Sequence, residues 1–274
     1  MRTNELELRT KDGLTLLGNS WLPEGDPDKI ICLVHGHGEH IGRYEHFAKF
    51  FVERSIGLYA IDLRGHGKSN GKRGHTPDYD LLVLDTEELI KAARVEYNDT
   101  PIILYGHSMG GNIVANFILQ NNMKEIESAV LSSPWLRLAF EPPSGQLRLA
   151  KFANKILPGL TQSSKLDAQL LSKNPQVVED YKNDPLVHDL ISPRLFLGVI
   201  KAGEEAIAKA NELKIRTLVM HGEDDKITSA DASKEFVQSG AAEFKSWPTL
   251  KHEPHNEPEQ DEVMQFVFDW IQKK

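Results

Sequence analysis

The stretch Pro101-Ile102-Ile103-Leu104-Tyr105-Gly106-His107-Ser108-Met109-Gly110-Gly111, followed by a helical run to Gln120, constrains this chain more than any other. A short β-rich run feeds a GxSxG pattern, and the pattern feeds a helix. So tight a strand-to-helix turn needs small residues at Gly106 and Gly110, and it lifts the Ser108 hydroxyl above the sheet edge. Five residues can match by chance and mark only a packing turn. The strand before and the helix after are the context that makes Ser108 a candidate nucleophile.

The rest of the chain supplies a sheet for that turn. β-rich runs fall at 6–8, 14–21, 30–34, 58–61, 102–105, 129–131, 217–220 and 244–247, which makes about eight strands. After the first pair they alternate with helical periodicity at 44–53, 81–97, 109–120, 230–238 and 262–271. Such alternation predicts an α/β architecture, a mostly parallel sheet covered by helices on both faces. Ligands on these sheets bind beyond the carboxyl ends of the strands, so the loops after Val34, Tyr105 and Met220 should line one crevice.

The segment 137–212 breaks the alternation. It contains Pro142-Pro143, Pro158-Gly159, Pro175, Pro185 and Pro193 between short helical pieces, and reads as an inserted helical cap between core segments 1–136 and 213–274. Within it Leu149, Phe152, Ala153, Ile156, Leu157 and Leu160 follow helical spacing. Most apolar stripes are core, so this one is expected to pack on the sheet domain, with transient contact to a lipid interface as the minority alternative.

Bulk properties narrow the partners. A net charge of -8 disfavours nucleic acid and anionic membrane surfaces as principal partners, because long-range repulsion opposes encounter. The one cysteine, Cys32, sits in an apolar run and reads as a small buried hydrophobe. The N-terminus lacks a secretory pattern and no apolar run is long enough to span a membrane, so a cytoplasmic protein is expected.

A serine hydroxyl needs a base to take its proton, and the base needs an acid to hold its tautomer. Acids follow the strand at 215–220, in His221-Gly222-Glu223-Asp224-Asp225-Lys226. From the residues alone Glu223, Asp224 and Asp225 all remain open. After Trp247 the loop offers His252 and His255; we take His252 as the base, although position alone separates the two weakly. Backbone amides for a developing oxyanion are expected from Met109 and from His37, in the glycine-rich loop Val34-His35-Gly36-His37-Gly38. That loop also allows a rival, since His35, His37, Glu39 and His40 approach the HxHxDH spacing of binuclear metallohydrolases. Glu39 stands where Asp is needed, and a metal site leaves Ser108 and the downstream acid and histidine unexplained. No metal and no cofactor are expected.

The segments HGHGEHIGRY at 35–44, DLRGHGKSNGKRGH at 62–75, GHSMGG at 106–111, HGEDDKI at 221–227 and HEPHNEP at 252–258 together frame most of the sheet domain. In them the chain resembles the monoacylglycerol lipase and lysophospholipase branch of the α/β-hydrolases, also grouped with a serine aminopeptidase family. The cap is only generically similar. The resemblance implies an α/β-hydrolase fold and an acyl-enzyme mechanism on a small acyl ester such as a monoacylglycerol or lysophospholipid. It implies Ser108 as nucleophile, Asp225, in its Gly-x-x-Asp placement, as acid, and His252 as base. It also implies an alcohol pocket at Glu39, Arg43 and His255, although a Glu and Arg four apart commonly pair with each other. Asp62 and His66 are expected to staple a turn. An amidase or aminopeptidase of the same fold and a non-catalytic binding protein are the competing readings.

Overall fold

The computed structural model describes residues 1–120, 126–238 and 242–273. Eight strands form one sheet: β1 Arg2–Arg9, β2 Thr15–Leu22, β3 Lys29–Val34, β4 Ile56–Ile61, β5 Ile102–His107, β6 Ile126–Ser132, β9 Arg216–Gly222 and β10 Ala242–Trp247. Two short strands, β7 Gln162–Ser163 and β8 Leu190–Ile191, pair with each other outside it. The sheet order is β1-β2-β4-β3-β5-β6-β9-β10. β1 and β2 form an antiparallel edge, β2 runs antiparallel to β4, and every other neighbouring pair is parallel.

The central strands read as continuous apolar runs because they are covered twice. Along β3, Ile30, Cys32 and Val34 enter one core, while Ile31 and Leu33 enter the other. This is the alternation that a period of two imposes. The first core lies under α2 Asp80–Glu96, α3 Met109–Gln120, α6 Pro193–Ala208 and α7 Ala230–Gln238. The second lies under α1 Glu45–Val52 and α8 Gln260–Gln272. Cys32 is fully buried, and burial pushes its thiol up to about 12. Edge strand β1 is longer than its apolar residues suggest. Its exposed residues from Arg2 to Glu5 pair with Asn19 to Leu22, so backbone hydrogen bonds rather than side-chain burial set its length.

Between β6 and β9 the chain runs through α4 Ser144–Ile156, α5 Pro175–Asn183 and α6. Pro175 and Pro193 do not interrupt these helices but start them, each behind a side-chain cap: Asn174 accepts from the Gln176 amide and Ser192 from the Leu195 amide. α6 is part of the main core, where Leu195, Val199, Ala202 and Ala206 pack with residues of α3. α4 corrects the expectation that its stripe packs on the sheet domain. No residue of α4 is buried, and Leu149, Phe152, Ile156, Leu157 and Leu160 are 56% to 66% exposed. Helical spacing fixes which side chains share a face but not whether anything covers it. Among the described residues no helix is long and apolar enough to cross a membrane.

Candidate active site

Ser108 sits between β5 and α3 with φ of 53°, a left-handed conformation that a non-glycine residue adopts only under constraint. The constraint is local. The Ser108 amide donates to the Ser132 carbonyl (2.9 Å), and its own carbonyl accepts from the Asn112 (3.1 Å) and Trp135 (2.8 Å) amides. A Cβ on Gly106 would run into the Gly110 carbonyl, and one on Gly110 into that of Val34, so both glycines are required sterically. The hydroxyl is thus held at the carboxyl edge of the sheet.

Two further strand ends meet it. His252 Nε2, from the loop after β10, lies 2.9 Å from Ser108 Oγ, and Nδ1 lies 2.8 Å from Asp225 Oδ2, from the loop after β9. A carboxylate can only accept, so Nδ1 carries the hydrogen and Nε2 is left to take the serine proton. The other Asp225 oxygen, Oδ1, accepts the Ile227 (2.7 Å) and Thr228 (3.0 Å) amides. Burial alone would raise Asp225, but the adjacent His252 and the hydrogen bonds from His221 and His252 hold it well below the usual carboxylate range. Burial likewise opposes a charge on His252, yet Asp225, with Glu253 and Glu39 farther off, raises it above its ordinary value. Of the three acids open in the sequence, only Asp225 points at the imidazole. Glu223 instead accepts from the Ser246 hydroxyl (2.6 Å).

Around these three residues, polar side chains of the segments at 35–44 and 62–75, with Glu253, are spent on structure. Arg43 joins Glu39 (2.8 Å) and, through two bonds of 2.7 Å, Glu253. Glu39 Oε1 also accepts from the Gly36 amide (2.6 Å) and the Tyr44 hydroxyl (2.8 Å). Asp62 ties the Ile41 and Lys68 amides together, and a Cβ at Gly67, where φ is 47°, would collide with its carboxylate. His66 is buried with Nδ1 against the Arg64 carbonyl. His35 Nε2 accepts the Leu63 amide (2.9 Å), and His40 bonds Asp184 (2.8 Å). Among the described residues no three His, Cys, Asp or Glu side chains converge as metal ligands, the loop from His35 to His40 included.

A cavity of about 600 Å³ opens above Ser108 and His252. Gly36, His37, Glu39 and His107 stand at its polar end; Trp135, Leu147, Leu171, Ile191 and Phe196 are among its apolar walls, and α4 contributes Leu149, Ala150 and Ala153. Arg43 and His255 are not on its wall. His255 is fully buried behind it, stacked on Tyr44 (4.7 Å) and edge-on to His107 (4.7 Å), and burial, only partly offset by Glu253, takes it down to about 3. Of the three alcohol-pocket residues, therefore, only Glu39 reaches the cavity. Glu253, the carboxylate that completes the arginine bridge, lies within the HEPHNEP segment at 252–258, but nothing in its spacing points to Arg43 as its partner.

Residues 25–259 match the family model described as serine aminopeptidase, S33. A monoacylglycerol lipase of Mycolicibacterium smegmatis is 36% identical over 94% of this chain and 93% of its own length. An uncharacterized abhydrolase domain-containing protein of Dictyostelium discoideum is 32% identical over the whole chain, which spans only 29% of that protein. The crystal structure of Paleococcus ferrophilus monoacylglycerol lipase superimposes with a TM-score of 0.82 at 32% identity, covering 99% of this chain and 98% of that one.

Proposed function

This chain belongs to the S33 serine aminopeptidase family of α/β-hydrolases, and from that premise we propose that it is a serine hydrolase of carboxylic esters, acting on monoacylglycerols or similar small monoesters. One observation carries the reading: the hydrogen-bonded path Ser108, His252, Asp225 at the floor of a largely apolar cavity. Ser108 Oγ attacks the ester carbonyl as His252 Nε2 takes its proton, and the imidazolium so formed is stabilised by Asp225. The Met109 amide, at the N-terminus of α3, and the His37 amide stabilise the oxyanion. His252 then protonates the departing alcohol, and water, deprotonated by the same imidazole, releases the acid from Ser108. The similarity to monoacylglycerol lipases over nearly the full length of both chains supports the substrate class.

Within the segment 137–212, whose α6 joins the main core, the stretch through α4 and α5 serves as the cap over this chemistry, and α4 is its face toward lipid. From 142 to 166 the sequence has Arg148, Lys151, Lys155 and Lys165 but no Asp or Glu, alongside five exposed large apolar residues. A local patch of this kind is attracted to an anionic interface even on a chain of net negative charge, because the Debye length of about 8 Å screens more distant charges. An amine-recognising pocket for an aminopeptidase has less support, since the Glu39 carboxylate at the polar end is already taken by Gly36, Tyr44 and Arg43.

A fluorophosphonate probe tests the reading. Labelling mapped to Ser108, with turnover of monoacylglycerols exceeding that of aminoacyl amides, is the expected result. Folded protein that neither labels nor hydrolyses esters would overturn it, and amide turnover above ester turnover would move the assignment to a peptidase.

A further inference from the structure

The strand that delivers Asp225 also delivers a second imidazole to it. His221, near the end of β9, is fully buried, with Nε2 3.0 Å from Asp225 Oδ2 and 3.2 Å from the Thr228 carbonyl oxygen. Both oxygens can only accept, so Nε2 carries the hydrogen. Nδ1 lies 2.9 Å from the hydroxyl of Ser233, a buried residue of α7, which donates to it. Asp225 and the Thr228 carbonyl thereby fix the tautomer of His221, as Asp225 fixes that of His252, and Ser233 anchors the ring from its other side. Oδ2 is shared by two imidazole N–H groups, with the Thr228 hydroxyl at 2.8 Å as a third neighbour.

We propose that His221 is a positioning residue for the reaction: it steers Asp225 Oδ2 toward His252 Nδ1 and limits how strongly that carboxylate stabilises the protonated base. This rests on the reading of Ser108, His252 and Asp225 as the reacting set. A carboxylate held by donors from β9, from its own loop and, through Ser233, from α7 cannot rotate away from His252. Each N–H that draws on Oδ2 also leaves less of its charge for the neighbouring imidazole. The other groups facing His252 are Glu253 in its own loop, Glu39 from the loop after β3, itself neutralised by Arg43, the His107 ring of β5 at 4.9 Å, and the Thr228 hydroxyl at 3.3 Å. None of these contacts His221 except Thr228, so a substitution at His221 reaches the base through Asp225 and the Thr228 loop.

Replacing His221 by leucine removes the donor, and His221→Gln keeps an amide N–H near the position of Nε2. With Oδ2 less occupied, His252 becomes more basic and the acidic limb of kcat/KM moves to higher pH. For His221→Leu the expected result is a kcat lower by about tenfold, KM within about twofold, and an acidic limb raised by roughly half a pH unit, with His221→Gln recovering most of both. A parent-like kcat and limb in the leucine variant would overturn the proposal. So would a loss of kcat with the limb unmoved and no recovery by glutamine, which describes packing alone. If the leucine variant does not fold, Ser233→Ala removes the hydrogen bond that anchors the His221 ring against Asp225 and should move the same quantities in the same direction by less; an unmoved profile there overturns the proposal equally. Probe labelling of Ser108 in the parent protein is read separately, so its absence would remove the esterase reading, whereas normal labelling with an unmoved profile removes only the role of His221.

Discussion

The loops at the carboxyl edge of the sheet and the helix α4 face each other across one cavity, yet they are built on opposite rules. At the loops, charged groups are buried and almost every one is paired: Arg43 between Glu39 and Glu253, Asp225 beneath His252 and His221. On α4, no residue is buried, and Leu149, Phe152 and Ile156 are more than half exposed. Burying charge costs free energy unless geometry compensates, and exposing apolar area forgoes burial energy of about 25 cal/mol per Å². Both departures from the ordinary arrangement border the same cavity. The loops hold Ser108, His252 and Asp225 in fixed positions, whereas α4 leaves apolar area available to something outside the chain.

The comparison breaks most severely at Ser108. Ser108→Ala should lower ester turnover by roughly a million-fold while leaving the urea midpoint close to that of the parent, because it deletes one hydroxyl and no packing; turnover within tenfold of the parent would sink the mechanism. Next in size is the buried arginine. Arg43→Met leaves Glu39 and Glu253 facing each other without a cation, and urea unfolding should show a loss of about 3 to 5 kcal/mol. A loss below about 1 kcal/mol would mean that the bridge is far more solvated than its burial implies.

Acid sharpens the same contrast. Burial, reinforced by neighbouring histidines, takes His37 down to about 3, and His255 reaches a similar value. A histidine whose folded value is depressed stabilises the fold above its unfolded value, near 6.5, and that stability is lost as pH falls toward 3. The unfolded chain binds one more proton per such group, so stability should drop by about 1.4 kcal/mol per pH unit for each, read as melting temperature between pH 6.5 and 4. Activity should fall sooner. His252 is raised above its ordinary value, so kcat/KM is full only above that raised value and declines as pH drops through it.

The smallest effect on stability is expected on α4. Phe152→Ser should change folding free energy by no more than about 0.5 kcal/mol, since the ring is 62% exposed, and should leave turnover of a short soluble ester unchanged. It should weaken co-sedimentation with vesicles containing anionic phospholipid. Unchanged vesicle binding by Phe152→Ser combined with Leu157→Ser would separate α4 from any lipid contact.

Much of this was legible in the chain itself. The eight strands, the turn at Ser108 and the order of serine, acid and histidine along the chain follow from local rules: a two-residue period for strands, small residues in a tight turn, and strand ends that open on one crevice. These rules act over a few residues, so the sequence contains them. Three things were decided only by tertiary structure. From the residues alone, Asp225 was separated from Glu223 and Asp224 only by which carboxylate meets His252 Nδ1, the acid that the resemblance implied. His255 went behind the cavity wall because Tyr44 and His107 offer it stacking faces there. The α4 stripe stayed exposed although its spacing is that of a core helix. Each depends on which surfaces the fold brings together from distant parts of the chain, and neither residue type nor local period encodes that.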